Sequence, residues 1–161
     1  MENGRSLPSI ESLLPHRGRM LLIDDILQVD EARAVSYSKV KADWPLSDGK
    51  EVSPMVIIEL VAQTAGLSNG LSRLRTQGEE ADKRGWLVGI RKADFFVDAL
   101  SVGTSIVTEA ANRFAFEGFR EISGESRIGD RVVGEVILQV LQADENKTQP
   151  ESEHEGSKAG E

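Results

Sequence analysis

Residues 53–66, SPMVIIELVAQTAG, constrain this chain more than any other stretch. They read as a helix that is apolar on almost every side, and such a helix is buried. One carboxylate, Glu59, sits in its middle, with Gln63 four residues further along the same face. A buried carboxylate without a partner costs on the order of several kcal/mol, or it becomes neutral. No cation is close in the local sequence, where the first basic residue downstream is Arg73. The pattern points to a carboxylate kept for a task, such as holding or giving a proton. Ser53 is the predicted N-cap and Pro54 the first helical residue. The helix is expected to run to about residue 75 or 76, with Gly66 and Gly70 as places of close packing or bending.

The rest of the chain supplies strands to cover that helix. Residues 8–14 predict a short helix capped by Ser9 and ended by Pro15. The apolar run 20–29, MLLIDDILQV, predicts a strand, and the alternating run 32–40 a second one, joined at Asp30-Glu31. Residues 43–51, DWPLSDGKE, are a loop. After a polar loop at 77–84, strands are expected at 86–90, 93–95, 104–114, 116–128 and 131–141. Turn signals lie at Val102-Gly103, at Glu117-Gly118 (where Gly118 is either a turn or a bulge) and at Ile128-Gly129-Asp130. One long apolar helix wrapped by a curved antiparallel sheet is an α+β fold, expected here as one domain over residues 1–142.

Residues 143–161 hold few apolar residues and six acids against two lysines, half of the net charge of −8. They are expected to form a disordered acidic tail. The acidic balance of the remainder argues against nucleic acid, which needs a basic face. The absence of cysteine excludes disulfides and thiolate metal sites. The first ten residues lack an apolar signal core, and no run reaches membrane-spanning length, so a soluble cytoplasmic protein is expected.

Several segments, in order, resemble one family. These are Leu14-Pro15-His16-Arg17 before the first strand, Glu59-Leu60-Val61-Ala62-Gln63 in the helix, and Lys92-Ala93-Asp94-Phe95-Phe96 leading to Val102-Gly103-Thr104. The run from Gly129 through Asp130, Arg131, Val132, Val133 and Gly134 to Glu135 completes the set. Together they resemble the hot-dog-fold 3-hydroxyacyl-acyl-carrier-protein dehydratases over roughly residues 7–142. The strand Trp86-Leu87-Val88-Gly89-Ile90-Arg91 is similar to that of the dehydratase-like proteins of aryl polyene pathways.

The resemblance implies loss of water from a 3-hydroxyacyl thioester carried on acyl carrier protein or coenzyme A, with no cofactor and no metal. In the family, a histidine takes the C2 proton, and a helix carboxylate from the other subunit serves the leaving hydroxyl. Glu59 matches that carboxylate, Gln63 matches the glutamine that orients it, and the amides near Met55 and Val56 match the end that polarises the thioester carbonyl. The family's histidine segment falls near Pro45, where this chain has no histidine; it has only His16 and His154. Asp48 is the nearest titratable side chain and a candidate replacement base. His16 reads as a hydrogen-bonded or capping histidine at a helix end. Arg91 and Lys92 are candidate cations for an acidic carrier protein or a pantetheine phosphate.

Three functions fit this reading. The first is a dehydratase-like protein of fatty-acid, polyketide or polyene synthesis, with its pocket at a dimer interface and either weak catalysis alone or a partner subunit supplying the histidine. The second is a non-catalytic acyl-binding partner of an active dehydratase-like paralogue. The third is an acyl thioesterase in which Glu59 activates water. A homodimer or such a heterodimer is expected.

Overall fold

The computed structural model describes residues 6–143. The expected acidic tail and His154 lie outside the described residues.

The chain runs α1 (Ile10–Leu13), β1 (Asp25–Val29), β2 (Arg33–Lys39), β3 (Glu51–Val52), α2 (Val56–Gln77), β4 (Gly85–Phe95), β5 (Leu100–Ser101), β6 (Ser105–Phe116), β7 (Phe119–Ile128) and β8 (Arg131–Gln142). Six strands form one sheet in the order β1-β2-β6-β7-β8-β4, antiparallel throughout. β3 and β5 make a small separate pair. Helix α2 packs on β2, β6, β7 and β8. This is the α+β hot-dog arrangement, with the long helix on the sheet. Among the described residues, no helix is long and apolar enough to cross a membrane.

The core lies between α2 and the sheet. Ile57, Leu60, Val61 and Ala65 of the helix pack with Ile106, Ile122, Val136 and Leu138 of the strands. Burial of each large aliphatic side chain contributes about 1.5–3 kcal/mol. A second apolar cluster joins Leu13, Leu14, Ile23 and Ile26 to Leu67 and Leu71. Two polar side chains inside the core pair with each other. The Ser36 and Thr64 hydroxyls lie 2.8 Å apart, and the Thr64 hydroxyl donates to the Leu60 carbonyl.

Several boundaries differ from expectation, each for a local reason. The predicted strand at 20–29 is a strand only at Asp25–Val29, and a 3-10 turn occupies Gly18–Met20. Its apolar residues Leu22 and Ile23 are buried. The Leu22 amide donates to the Gln63 side chain and not to a neighbouring strand, so this run crosses the helix as a strap. Val52 pairs with Leu100, which holds it in β3. The Ile57 and Ile58 amides donate to the Pro54 and Met55 carbonyls, three residues back, so a tighter turn comes first and the helix begins at Val56, beyond the expected Ser53 cap. Ser53 still serves the opening turn, where its carbonyl accepts from the Val56 amide at 3.1 Å. Strands expected separately at 86–90 and 93–95 form one strand with two irregularities of register.

Other expectations hold. The Ser9 hydroxyl accepts from the Ser12 amide at the start of α1. The Asp30 carboxylate accepts from the Ala32 and Arg33 amides, which makes the β1–β2 turn. Glu117 and Gly118 both have positive φ, 45° and 85°, so this pair is a tight hairpin turn and not a bulge.

Candidate functional site

One face of α2 is not covered by the sheet. Glu59, Ala62, Gly66, Asn69, Gly70 and Arg73 recur along it at helical spacing and line one wall of a cavity of about 300 Å³. The opposite walls come from Leu14, Pro15 and His16 on one side and from Trp86, Leu87, Ile122 and Val140 on the other. The cavity is mainly apolar, with a carboxylate at one end of the helix face and the Arg73 guanidinium towards the other. That shape suits an extended chain with a reactive polar end.

Glu59 is not buried without a partner, as the sequence suggested. Its side chain is 37% exposed, and His16 Nε2 lies 3.3 Å from its Oε1. The local sequence hid this partner because His16 arrives from a different element. Gln63 Nε2 donates to the same Oε1 at 2.8 Å and to the Met20 carbonyl at 2.7 Å, while Gln63 Oε1 accepts from the Leu22 amide at 3.0 Å. Gln63 is itself buried, so these bonds satisfy its amide and fix its orientation. The structure thus brings Glu59, Gln63 and His16 together.

The other expected site residues lie elsewhere or are engaged. The Asp48 carboxylate is exposed and accepts from the Glu51 amide at 2.8 Å and the Lys50 amide at 2.9 Å. These backbone donors, Glu51 first, hold it below the usual carboxylate range. A carboxylate stabilised in this way is a weaker base, and Asp48 is not among the residues that line the cavity. At the start of the helix, the Met55 amide donates to the Ser53 hydroxyl at a long 3.4 Å, and the Val56 amide is used by the Ser53 carbonyl. Arg91 is exposed on β4 and pairs with Glu121 at 3.0 Å. That pairing, with Gln139 and Arg113 nearby, holds the Glu121 carboxyl below its usual range.

Sequence reasoning did not assign Asn69 or Arg73 to the site. The signal was present in their spacing, since they follow Glu59 on the same helix face. Arg73 is buried and donates to the carbonyls of Asp82 and Arg84, which anchors the loop after α2.

Comparison with known proteins agrees with this fold. The dehydratase FabZ of Thermoanaerobacter sp. (strain X514) is 28% identical over 142 residues, covering 84% of this chain and 96% of its own. The FabZ of Bartonella henselae is 29% identical over 154 residues, covering 86% and 96%. Both are described as 3-hydroxyacyl-[acyl-carrier-protein] dehydratases. Among solved structures, the dehydratase heterocomplex ApeI:P from Xenorhabdus doucetiae matches with a TM-score of 0.75 and 26% identity, covering 88% of this chain and 94% of that one. A hypothetical thioesterase with coenzyme A from Streptococcus pneumoniae TIGR4 matches at TM-score 0.55 and 12% identity, covering 74% and 84%, and shares the fold alone. The family of ApeP dehydratases matches residues 8–151. With nearly all of its length inside that match, the chain belongs to the ApeP-like dehydratase family.

Proposed function

We propose that this chain is one subunit of a dehydratase for 3-hydroxyacyl thioesters carried on acyl carrier protein or coenzyme A. Its Glu59 serves the departing hydroxyl, and a dehydratase-like partner supplies the base. The observation that carries this reading is the held carboxylate: Glu59 stands at the wall of an apolar cavity with Gln63 bonded to one of its oxygens. In the step, the partner's base takes the C2 proton. The C2–H electron pair forms the C2–C3 double bond, the C3–O bond breaks, and the hydroxyl leaves as water with a proton from Glu59. The products are an enoyl thioester and water.

The need for a partner rests on two supports. No histidine stands in the segment before the helix, and Asp48 is committed to its own turn. Strand β4 is an edge of the sheet and exposes Trp86, Leu87, Val88 and Ile90. An apolar edge of that length invites a partner strand. Similarity to a heterocomplex makes a dehydratase-like chain the natural partner. At the start of α2 the long Met55–Ser53 bond is the one a thioester oxygen displaces, so that the helix terminus polarises the carbonyl. Arg91 and Lys92 are exposed on β4, paired with Glu121 and with Asp94 and Glu135, and are the cations this reading offers to an acidic carrier.

The test is to purify the chain alone and together with a dehydratase-like chain that carries the histidine segment. Each preparation is offered 3-hydroxyacyl and saturated acyl thioesters. The pair should form enoyl thioester, and the chain alone should be slower by about 10²-fold or more, the share of a lost acid–base group. Release of free thiol from saturated thioesters would mean a thioesterase. A pair whose turnover is indifferent to Glu59→Gln would mean a non-catalytic subunit.

A further inference from the structure

We propose that His16 is a positioning residue for Glu59, an Nε2–H donor that shares Oε1 with Gln63 and so confines the acid proton to Oε2. This deepens the dehydratase reading and rests on it for its catalytic consequence.

The strap formed by residues 13–22 is fixed on α2 at both ends. At one end, Leu13 and Leu14 lie against Gly70 and Gly66 so closely that a Cβ on Gly70 would stand 2.3 Å from the Leu13 carbonyl oxygen. At the other, the Gln63 amide holds Met20 and Leu22. Between them, the Arg17 guanidinium donates to the carbonyls of Leu14 and His16, both at 2.7 Å, and of Glu11 at 2.9 Å. That clip sets the backbone of His16, and the ring reaches Glu59 with Nε2 3.3 Å from Oε1.

Oε1 accepts from the Gln63 N–H at 2.8 Å and has His16 Nε2 3.3 Å away, one neighbour for each of its lone pairs. Among the described residues, Oε2 has no hydrogen-bond partner. When Glu59 is neutral its proton therefore sits on Oε2, the oxygen left for a substrate hydroxyl. The His16–Glu59 distance is longer than a tight charge-assisted bond, and such contacts shorten when substrate is in place.

His16 does not replace the missing base. Its Nδ1 is buried, and no described residue bonds it. A second proton there would be a buried donor without an acceptor, which is costly. With Nδ1 shut off and Nε2 turned to Glu59, neither nitrogen is available to a C2 proton. The charged groups around the ring are Glu59 from α2, Arg17 from the strap, whose guanidinium bonds carbonyls, and Arg73, Lys83 and Arg84 along the same cavity.

Two measurements test this. The imidazole nitrogens of the uniformly 15N-labelled chain are observed by NMR. The chain has only two histidines, so His16→Gln assigns them. In its neutral form His16 should show the Nε2–H tautomer, and Glu59→Ala should shift its Nε2 resonance. A Nδ1–H tautomer, or a signal blind to Glu59→Ala, overturns the proposal without touching the dehydratase reading. Turnover is then measured with the partner subunit. His16→Leu should lower kcat between about tenfold and a hundredfold, the scale of a misplaced group, with KM nearly unchanged. His16→Gln, which keeps an N–H donor, should recover most of that loss with the wild-type pH profile. A folded His16→Leu chain with wild-type kcat, or a His16→Gln chain as poor as His16→Leu, overturns the positioning role. No turnover by the wild-type pair counts against the dehydratase reading, while the NMR result alone then decides the contact.

Discussion

His16 and Glu59 come from different elements, yet Nε2 of one stands 3.3 Å from Oε1 of the other. Gln63 joins them by donating to the same carboxylate oxygen and by holding the strap that carries His16. The site is therefore one connected unit of helix and strap, and its parts respond differently to substitution.

Glu59→Gln keeps the size of the side chain and removes the proton donor. Turnover of 3-hydroxyacyl thioesters by the chain with its partner should fall by about 10²-fold or more. Because Glu59 is more than a third exposed, thermal unfolding should move little. Undiminished turnover sinks the assignment of Glu59.

Gln63→Leu should cost stability as well as turnover. It leaves the Leu22 amide and the Met20 carbonyl without their partner, and an unmade bond to a buried group costs about 1–3 kcal/mol. Urea unfolding should report a loss of about 2–4 kcal/mol. A change within about 0.5 kcal/mol, the range of an inert surface substitution, contradicts it.

The two glycines under the strap should behave oppositely. Gly70→Ala drives a Cβ into backbone at the Leu13 carbonyl, and overpacking costs about 1–3 kcal/mol. At Gly66 the Cβ meets only the end of the Leu14 side chain, at 2.7 Å, which can turn aside. There the gain of about 1 kcal/mol in helix propensity offsets the crowding. Equal stabilities of the two alanine variants would show that the strap does not sit as close as described.

Acid should expose the Asp82–Arg84 pair. The Arg84 guanidinium, then the Arg84 amide, lower the Asp82 carboxyl from 3.8 to about 2. The folded-state value is depressed, so its contribution is fully present above the unfolded value, near pH 4, and is lost as pH falls through about 2. Asp30, Asp48, Glu109 and Glu121 are lowered too and add to the same trend. Asp82→Asn should flatten part of the fall in the urea midpoint between pH 4 and 2, with no change in slope above pH 5. An unchanged acid limb refutes the pair's contribution.

Val88→Lys or Ile90→Lys on the exposed edge of β4 should weaken association with the partner by at least about tenfold while leaving the circular dichroism spectrum intact, since an edge lysine disfavours strand pairing. Sedimentation at graded concentrations reads this directly. Association untouched by both variants would move the interface away from β4.

The sequence by itself determined the helix, its apolar surroundings, the antiparallel strands and the placing of Glu59 and Gln63 on one helix face. These follow from local periodicity, from turn chemistry, and from a carboxylate and an amide one helical turn apart. The turn at Glu117-Gly118 was legible from Gly118, whose positive φ of 85° a glycine takes without steric cost. The start of α2 was not, because the residues after Ser53 first close a tighter turn, with bonds to carbonyls three residues back, that a cap residue alone does not reveal. Likewise, the apolar run at 20–29 matched a strand by composition, but its first half is taken by the helix, where Gln63 offers its amide a partner and Leu22 a dry place. The partner of Glu59 was the least legible feature. Nothing local links His16 to Glu59; their contact depends on how closely the strap can lie on Gly66 and Gly70, a distance set by packing in three dimensions.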